Sequence, residues 1–158
     1  MEEINSLMFD NITVEQDFRW LLKQRFKEND IFNLYKREIN LITMDYDLKN
    51  KIELPAVDIT VFQSRSINPD DTQLQAFTPF TVELNVYTSG KNKVLNNKTI
   101  GNAIISVMQS NGQLPHFYCR GLMLEENRAV GTLTDSAYRT VIRLSGLCDN
   151  RLKLIKRR

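Results

Sequence analysis

At 158 residues the chain has the length of one domain, and with 42% hydrophobic and 25% charged residues its composition is that of an ordinary globular protein. This excludes an intrinsically disordered chain, a collagen-like one and a disulfide scaffold. The net charge of +2 predicts nothing about nucleic acid by itself, but it is spread unevenly. Glu2, Glu3, Asp10, Glu15 and Asp17 stand among the first 18 residues with no Lys or Arg, whereas residues 151–158 hold Arg151, Lys153, Lys156, Arg157 and Arg158 with no acid.

Thr13 and Gln16 have the spacing of a capping box, so a helix is expected to start there. Val14, Phe18, Leu21, Leu22 and Phe26 recur at three-and-four spacing and predict one buried helix face. Residues 31–54 mix apolar and charged positions; Ile39, Leu41 and Thr43 alternate as in a strand near 38–47. From Ala56, with Pro55 at the entrance, Val57, Ile59 and Val61 point one way and Asp58, Thr60 and Gln63 largely the other, the period of a half-buried strand. Ser64 to Thr78, with Asn68-Pro69-Asp70-Asp71 in its middle, reads as a long connection and a candidate contact arm.

Phe80, Val82, Leu84 and Val86 alternate with Thr81, Glu83, Asn85 and Tyr87 in the clearest strand of the chain. A polar loop Thr88-Ser89-Gly90-Lys91-Asn92-Lys93 leads to a second helix with the stripe Ile100, Ala103, Ile104, Val107 and Met108, stopped by Asn111-Gly112 and Pro115. Residues 117–128 and 137–148 flank Gly131-Thr132-Leu133-Thr134-Asp135 and predict a hairpin. A centre between Leu133 and Thr134 sets Cys119 opposite Cys148 and Met123 opposite Leu144, with Tyr138, Ile142, Leu144 and Cys148 on one buried face. Helix, one or two strands, strand, helix and two strands predict an α+β domain, a mainly antiparallel sheet with two main helices packed on one face. The expected organisation is a single domain over 1–158, its core at about 13–148, with an acidic segment 1–12 and a basic tail 149–158.

The residues that carry chemistry are sparse. The only histidine, His116, has no second His and no cysteine near it in sequence except Cys119, and there is no Gly-x-Ser-x-Gly elbow, so a hydrolase is disfavoured. The carboxylate pairs Asp45/Asp47, Asp70/Asp71 and Glu125/Glu126 occupy common solvated positions. The glycines at 90, 101 and 112 match neither a phosphate loop nor a dinucleotide fingerprint. Cys119 and Cys148 are too few and too far apart for a zinc site and are expected as reduced thiols. No catalytic residue, cofactor or metal is therefore expected. No run of roughly 18 apolar residues suits a membrane helix, and Met1-Glu2-Glu3-Ile4-Asn5 is acidic where a secretory signal is basic, so a cytosolic product without a targeting segment is expected. In the basic tail, Leu152, Leu154 and Ile155 interrupt the cations at spacings that suit docking as well as a solvated end or phosphate binding.

The order of elements, together with Pro55-Ala56-Val57-Asp58-Ile59-Thr60-Val61, Phe80-Thr81-Val82-Glu83-Leu84-Asn85-Val86-Tyr87-Thr88 and Ile100-Gly101-Asn102-Ala103-Ile104-Ile105, resembles tail terminator (tail completion) proteins of long-tailed bacteriophages over about residues 13–148. In that family a strand ending in a Tyr-containing turn leads through a polar loop into the helix that packs on the sheet, and a final hairpin completes the subunit. Residues 31–54 and the hydrophobic-basic tail have no counterpart in the resemblance. It implies a virion structural protein without catalytic residues, made in the host cytoplasm and placed at the neck. There it would form a ring, usually a hexamer, that caps the tail tube protein and meets the head-tail connector protein, with DNA passing unread through the lumen.

Contact candidates under this reading are Glu2, Glu3 and Asp10 of the acidic segment and Arg151, Lys153, Lys156, Arg157 and Arg158 of the basic tail. Asn68, Asp70 and Asp71 of the arm and Lys91 and Lys93 of the loop at 88–98 complete the set. The alternatives are another head-closure or connector subunit, a small nucleic-acid-binding module, and an enzyme with an unfamiliar site.

Overall fold

A computed structural model of the chain describes residues 11–28, 39–42, 54–63, 77–109, 114–134 and 137–149. Helix α1 (Asn11–Glu28) begins two residues before the expected Thr13. Asn11 and Ile12 are already helical, so Thr13 lies inside the first turn, and the residue before Asn11 is outside the described residues. Its stripe is as expected: Val14, Phe18, Leu21, Leu22 and Phe26 are all buried.

The short strand β1 (Asn40–Ile42) falls within the expected 38–47 and runs parallel to β2 (Ala56–Gln63), pairing Asn40 with Ala56 and Ile42 with Asp58. β2 is entered through a cis Leu54–Pro55 bond, and Val57, Ile59 and Val61 point into the core. β3 (Phe77–Ser89) is longer than the sequence pattern suggested at both ends. Thr78 and Pro79 are buried in the strand and not part of a connection; Pro79 lies past Phe80, the last residue of β3 that pairs with β2, where a missing N–H is tolerated. Thr88 and Ser89 belong to β3 and Lys93 opens α2 (Lys93–Gln109), so the polar loop expected over 88–98 shrinks to Gly90–Asn92. Gly90 takes φ of 93°, a left-handed turn residue that only glycine adopts without strain.

β4 (Tyr118–Thr134) and β5 (Ala137–Asp149) form the expected hairpin, but β4 runs on through Gly131 to Thr134 where a connection was expected. The pairing closes at Thr134 with Ala137 and not about a centre between Leu133 and Thr134, yet Cys119 does face Cys148 because extra residues in β4 make up the difference. Met123, however, faces Ser145, and Leu124 takes the place opposite Leu144, because β4 is the longer strand and its extra residues enter at register shifts after Arg120, Leu124, Ala129 and Thr132. Each such bulge adds one residue to one side of the ladder, which no even-spaced pattern anticipates.

The sheet order is β1-β2-β3-β5-β4, antiparallel except for β1 with β2, with the two described helices on one face: an α+β fold. α1 covers β2 and α2 covers β3 and β5. Ile100, Ile104, Val107 and Met108 of α2 meet Ile142, Leu144 and Cys148 of β5 and the α1 stripe in one cluster, with Phe18 and Phe80 rings 6.0 Å apart. Each fully buried Leu, Ile or Phe contributes about 1.5–3 kcal/mol.

Candidate functional site

Only Lys91 and Lys93 of the expected contact residues can be placed. Lys91 is exposed on the β3–α2 turn, and Lys93 is the half-exposed first residue of α2, followed by exposed Val94 and Leu95. Glu2, Glu3, Asp10, Asn68, Asp70, Asp71, Arg151, Lys153, Lys156, Arg157 and Arg158 lie outside the described residues, as do Asp45, Asp47 and the Asn111-Gly112 stop.

Two acids of the N-terminal region turn inward instead of forming an acidic patch. Glu15 is fully buried and its Oε1 accepts the Val61 N–H at 2.8 Å, on the stretch of β2 beyond its pairing with β1. Asp17 accepts the His116 backbone N–H at 2.8 Å with Oδ2, and its Oδ1 lies 2.7 Å from His116 Nδ1. Arg19 Nε donates to Leu41 O at 2.9 Å, tying β1 to the same helix. These bonds hold α1 against a sheet edge that would otherwise present unpaired groups.

What α1 turns outward is different. Ile12, Gln16, Arg19, Trp20, Lys23 and Lys27 fall within about a third of the circumference at ~100° per residue. Trp20 is 47% exposed and Ile12 41%. Sequence reasoning missed this stripe, although Trp20 stands outside the Val14/Phe18/Leu22 spacing and is flanked by Arg19 and Lys23. Glu28, the exposed acid of α1, is engaged by Arg25 at 3.4 Å, so the helical layer is predominantly basic.

The opposite sheet face carries a ladder of charges. Arg143 Nε lies 3.1 Å from Glu83 and 3.7 Å from Glu126, which Arg128 approaches at 2.7 Å, and Ser145 Oγ donates to Glu125 at 2.6 Å. Arg139 donates twice to Asn85 Oδ1, at 3.0 and 2.6 Å, and sits 5.9 Å above the Tyr87 ring. Burial, then repulsion from Glu83, pushes the Asp58 carboxyl above its ordinary range against the pull of Arg139. Burial likewise raises the Tyr87 hydroxyl, with Arg139 opposing and Asp58 and Glu83 adding to it. Exposed Phe62, Met123 and Leu147 border this ladder. The two broad faces therefore differ in chemistry: basic with an aromatic on the helices, alternating charge on the sheet.

Among the described residues no group of three or more His, Cys, Asp or Glu is arranged to hold a metal ion, and no helix is long and apolar enough to cross a membrane. Cys119 is half-buried and Cys148 buried, and the two stand opposite each other in the β4–β5 register.

No protein-family profile matches the chain, and no curated protein is similar to it in sequence. Solved structures are similar in fold. A chain of the virion of a native gene transfer agent particle superposes with a TM-score of 0.59 over 83% of this chain and 93% of that one, at 10% identity, and therefore shares its fold.

Proposed function

We propose that the protein is a structural subunit of a phage-like particle, of the tail-terminator kind. In this reading it acts at the neck as a ring of about six copies, capping the tail tube protein and meeting the head-tail connector protein, with DNA passing through the lumen and no catalytic step. The observation that carries the reading is the fold shared, over 83% of this chain and 93% of the other, with a component of a gene transfer agent virion.

Surface chemistry supports it. A closed heterologous ring needs two different, complementary patches on each subunit. Here the two broad faces differ in chemistry, the α1 stripe basic with an exposed aromatic and the sheet face alternating in charge, so the subunit offers distinct surfaces and not one self-complementary patch.

The test is size-exclusion chromatography with light scattering at low and high salt, joined to electron micrographs of the main peak. Rings of about six subunits are expected, with a population that falls as salt rises. A strict monomer at every concentration and salt that also fails to cap purified tail tubes would overturn the reading.

A further inference from the structure

We propose that the outward stripe of α1 is the docking site for residues 1–10 of a neighbouring copy of the chain. The inference rests on the ring reading and names the contact that would close the ring.

The stripe presents Ile12 and Trp20 among Arg19, Lys23 and Lys27. An exposed tryptophan framed by cations is the composition of an interface anchor, where aromatic and arginine side chains carry most of the binding energy. Its partner must bring apolar groups to cover the ring and carboxylates for the cations. Lys23 and Lys27 have no carboxylate partner among the described residues, and Glu28 is held by Arg25. The sheet ladder is a poorer partner, because Glu83 and Glu126 are already engaged by Arg143 and Arg128 and Glu125 accepts from Ser145.

Residues 1–10 have the required chemistry. They carry Ile4, Leu7 and Phe9 with Glu2, Glu3 and Asp10 and no cation. Ten residues reach up to about 33–36 Å when extended, against the ~22 Å from Ile12 to Lys27 along the helix, so one segment can cover the whole stripe. Apolar contact with Trp20 would supply affinity, and the charge match would set register and encounter rate. Each copy would give its segment to one neighbour and receive that of the other, which is the heterologous arrangement a ring requires.

Trp20 is the sole tryptophan, so the intrinsic fluorescence of the full chain reports on the site directly. Emission and light-scattering mass are followed together over a dilution series. Emission should move to shorter wavelength in step with the rise in mass. Glu2→Gln/Glu3→Gln/Asp10→Asn and, separately, Lys23→Glu/Lys27→Glu should each weaken self-association by about tenfold or more, as loss of cross-interface charge pairs does. The charge swap Glu2→Lys/Glu3→Lys with Lys23→Glu/Lys27→Glu should restore it. All these α1 positions lie off the buried stripe, and helix content by circular dichroism checks that the fold is kept.

A blue shift independent of concentration would mean docking within one chain and overturn the proposal. A growing mass with the emission of an exposed indole would overturn it while leaving the ring reading intact. A blue shift that stops at a dimer would uphold the contact and sink the ring. Neither shift nor mass increase at any concentration would overturn both.

Discussion

Asn97 stands fully buried in α2 and fastens the helix to two strands at once: its Nδ2 lies 2.9 Å from Val86 O, 3.2 Å from Thr88 Oγ1 and 3.1 Å from Tyr138 O. Its Oδ1 has no partner among the described residues, so part of what the amide contributes is offset by that orphaned acceptor. Asn97→Ala is expected to cost about 1–3 kcal/mol, read as a lower melting temperature at roughly 2–4 °C per kcal/mol. Asp58 works in the opposite sense. With its carboxyl raised above 3.8 the folded chain holds that proton more tightly than the unfolded chain does, so stability declines as pH climbs from 3.8 through the raised value and stays lowered at neutral pH. Asp58→Asn should therefore raise the urea midpoint at neutral pH and flatten this part of the pH profile, by less than about 1 kcal/mol because solvent screens a half-buried charge. Neither residue was legible as special in the sequence. The same holds for Glu15 and Asp17: a polar side chain is buried only when a partner arrives from elsewhere, and their partners Val61 and His116 are 46 and 99 residues away.

The helices and central strands, by contrast, were largely legible, because periods of 3.6 and 2 are written into the order of apolar residues. The α1 and α2 stripes and the alternation of β2 and β3 all reappear in the core. Where elements end was less legible. β3 extends back over Thr78 and Pro79 because β5 pairs with it residue for residue from Asp149 to Ala137, a long-range fact invisible to local turn chemistry. β4 shows the same limit: Cys119 meets Cys148 only because four bulge residues in β4 offset a hairpin that closes at Thr134 with Ala137 and not between Leu133 and Thr134, and the same bulges move Met123 off Leu144. Within α2, Gly101 sits mid-helix over β5, and a Cβ there would meet Ile142 Cδ1 at an ordinary 3.5 Å. Gly101→Ala should thus stabilise the fold by about 0.5–1 kcal/mol through helix propensity, seen as a higher urea midpoint at unchanged m-value.

At the scale of the molecule, the basic tail is proposed as a contact for an acidic partner. Replacing Arg151, Lys153, Lys156, Arg157 and Arg158 by Gln is expected to weaken assembly at low salt and to flatten its salt dependence in light scattering; unchanged assembly would remove the tail from the contact set. Composition, periodicity and the two opposite-charged ends were properties of the sequence alone, and they sufficed for an α+β fold with helices on one face, since each apolar stripe must find cover. Tertiary structure alone decided which charges remain available. It drew Glu15 and Asp17 inward, paired Glu83 and Glu126 with Arg143, and left Trp20 outward among cations. The physical reason is that apolar periodicity is a local property of the chain, whereas satisfying a polar group is settled by neighbours that only the fold brings together.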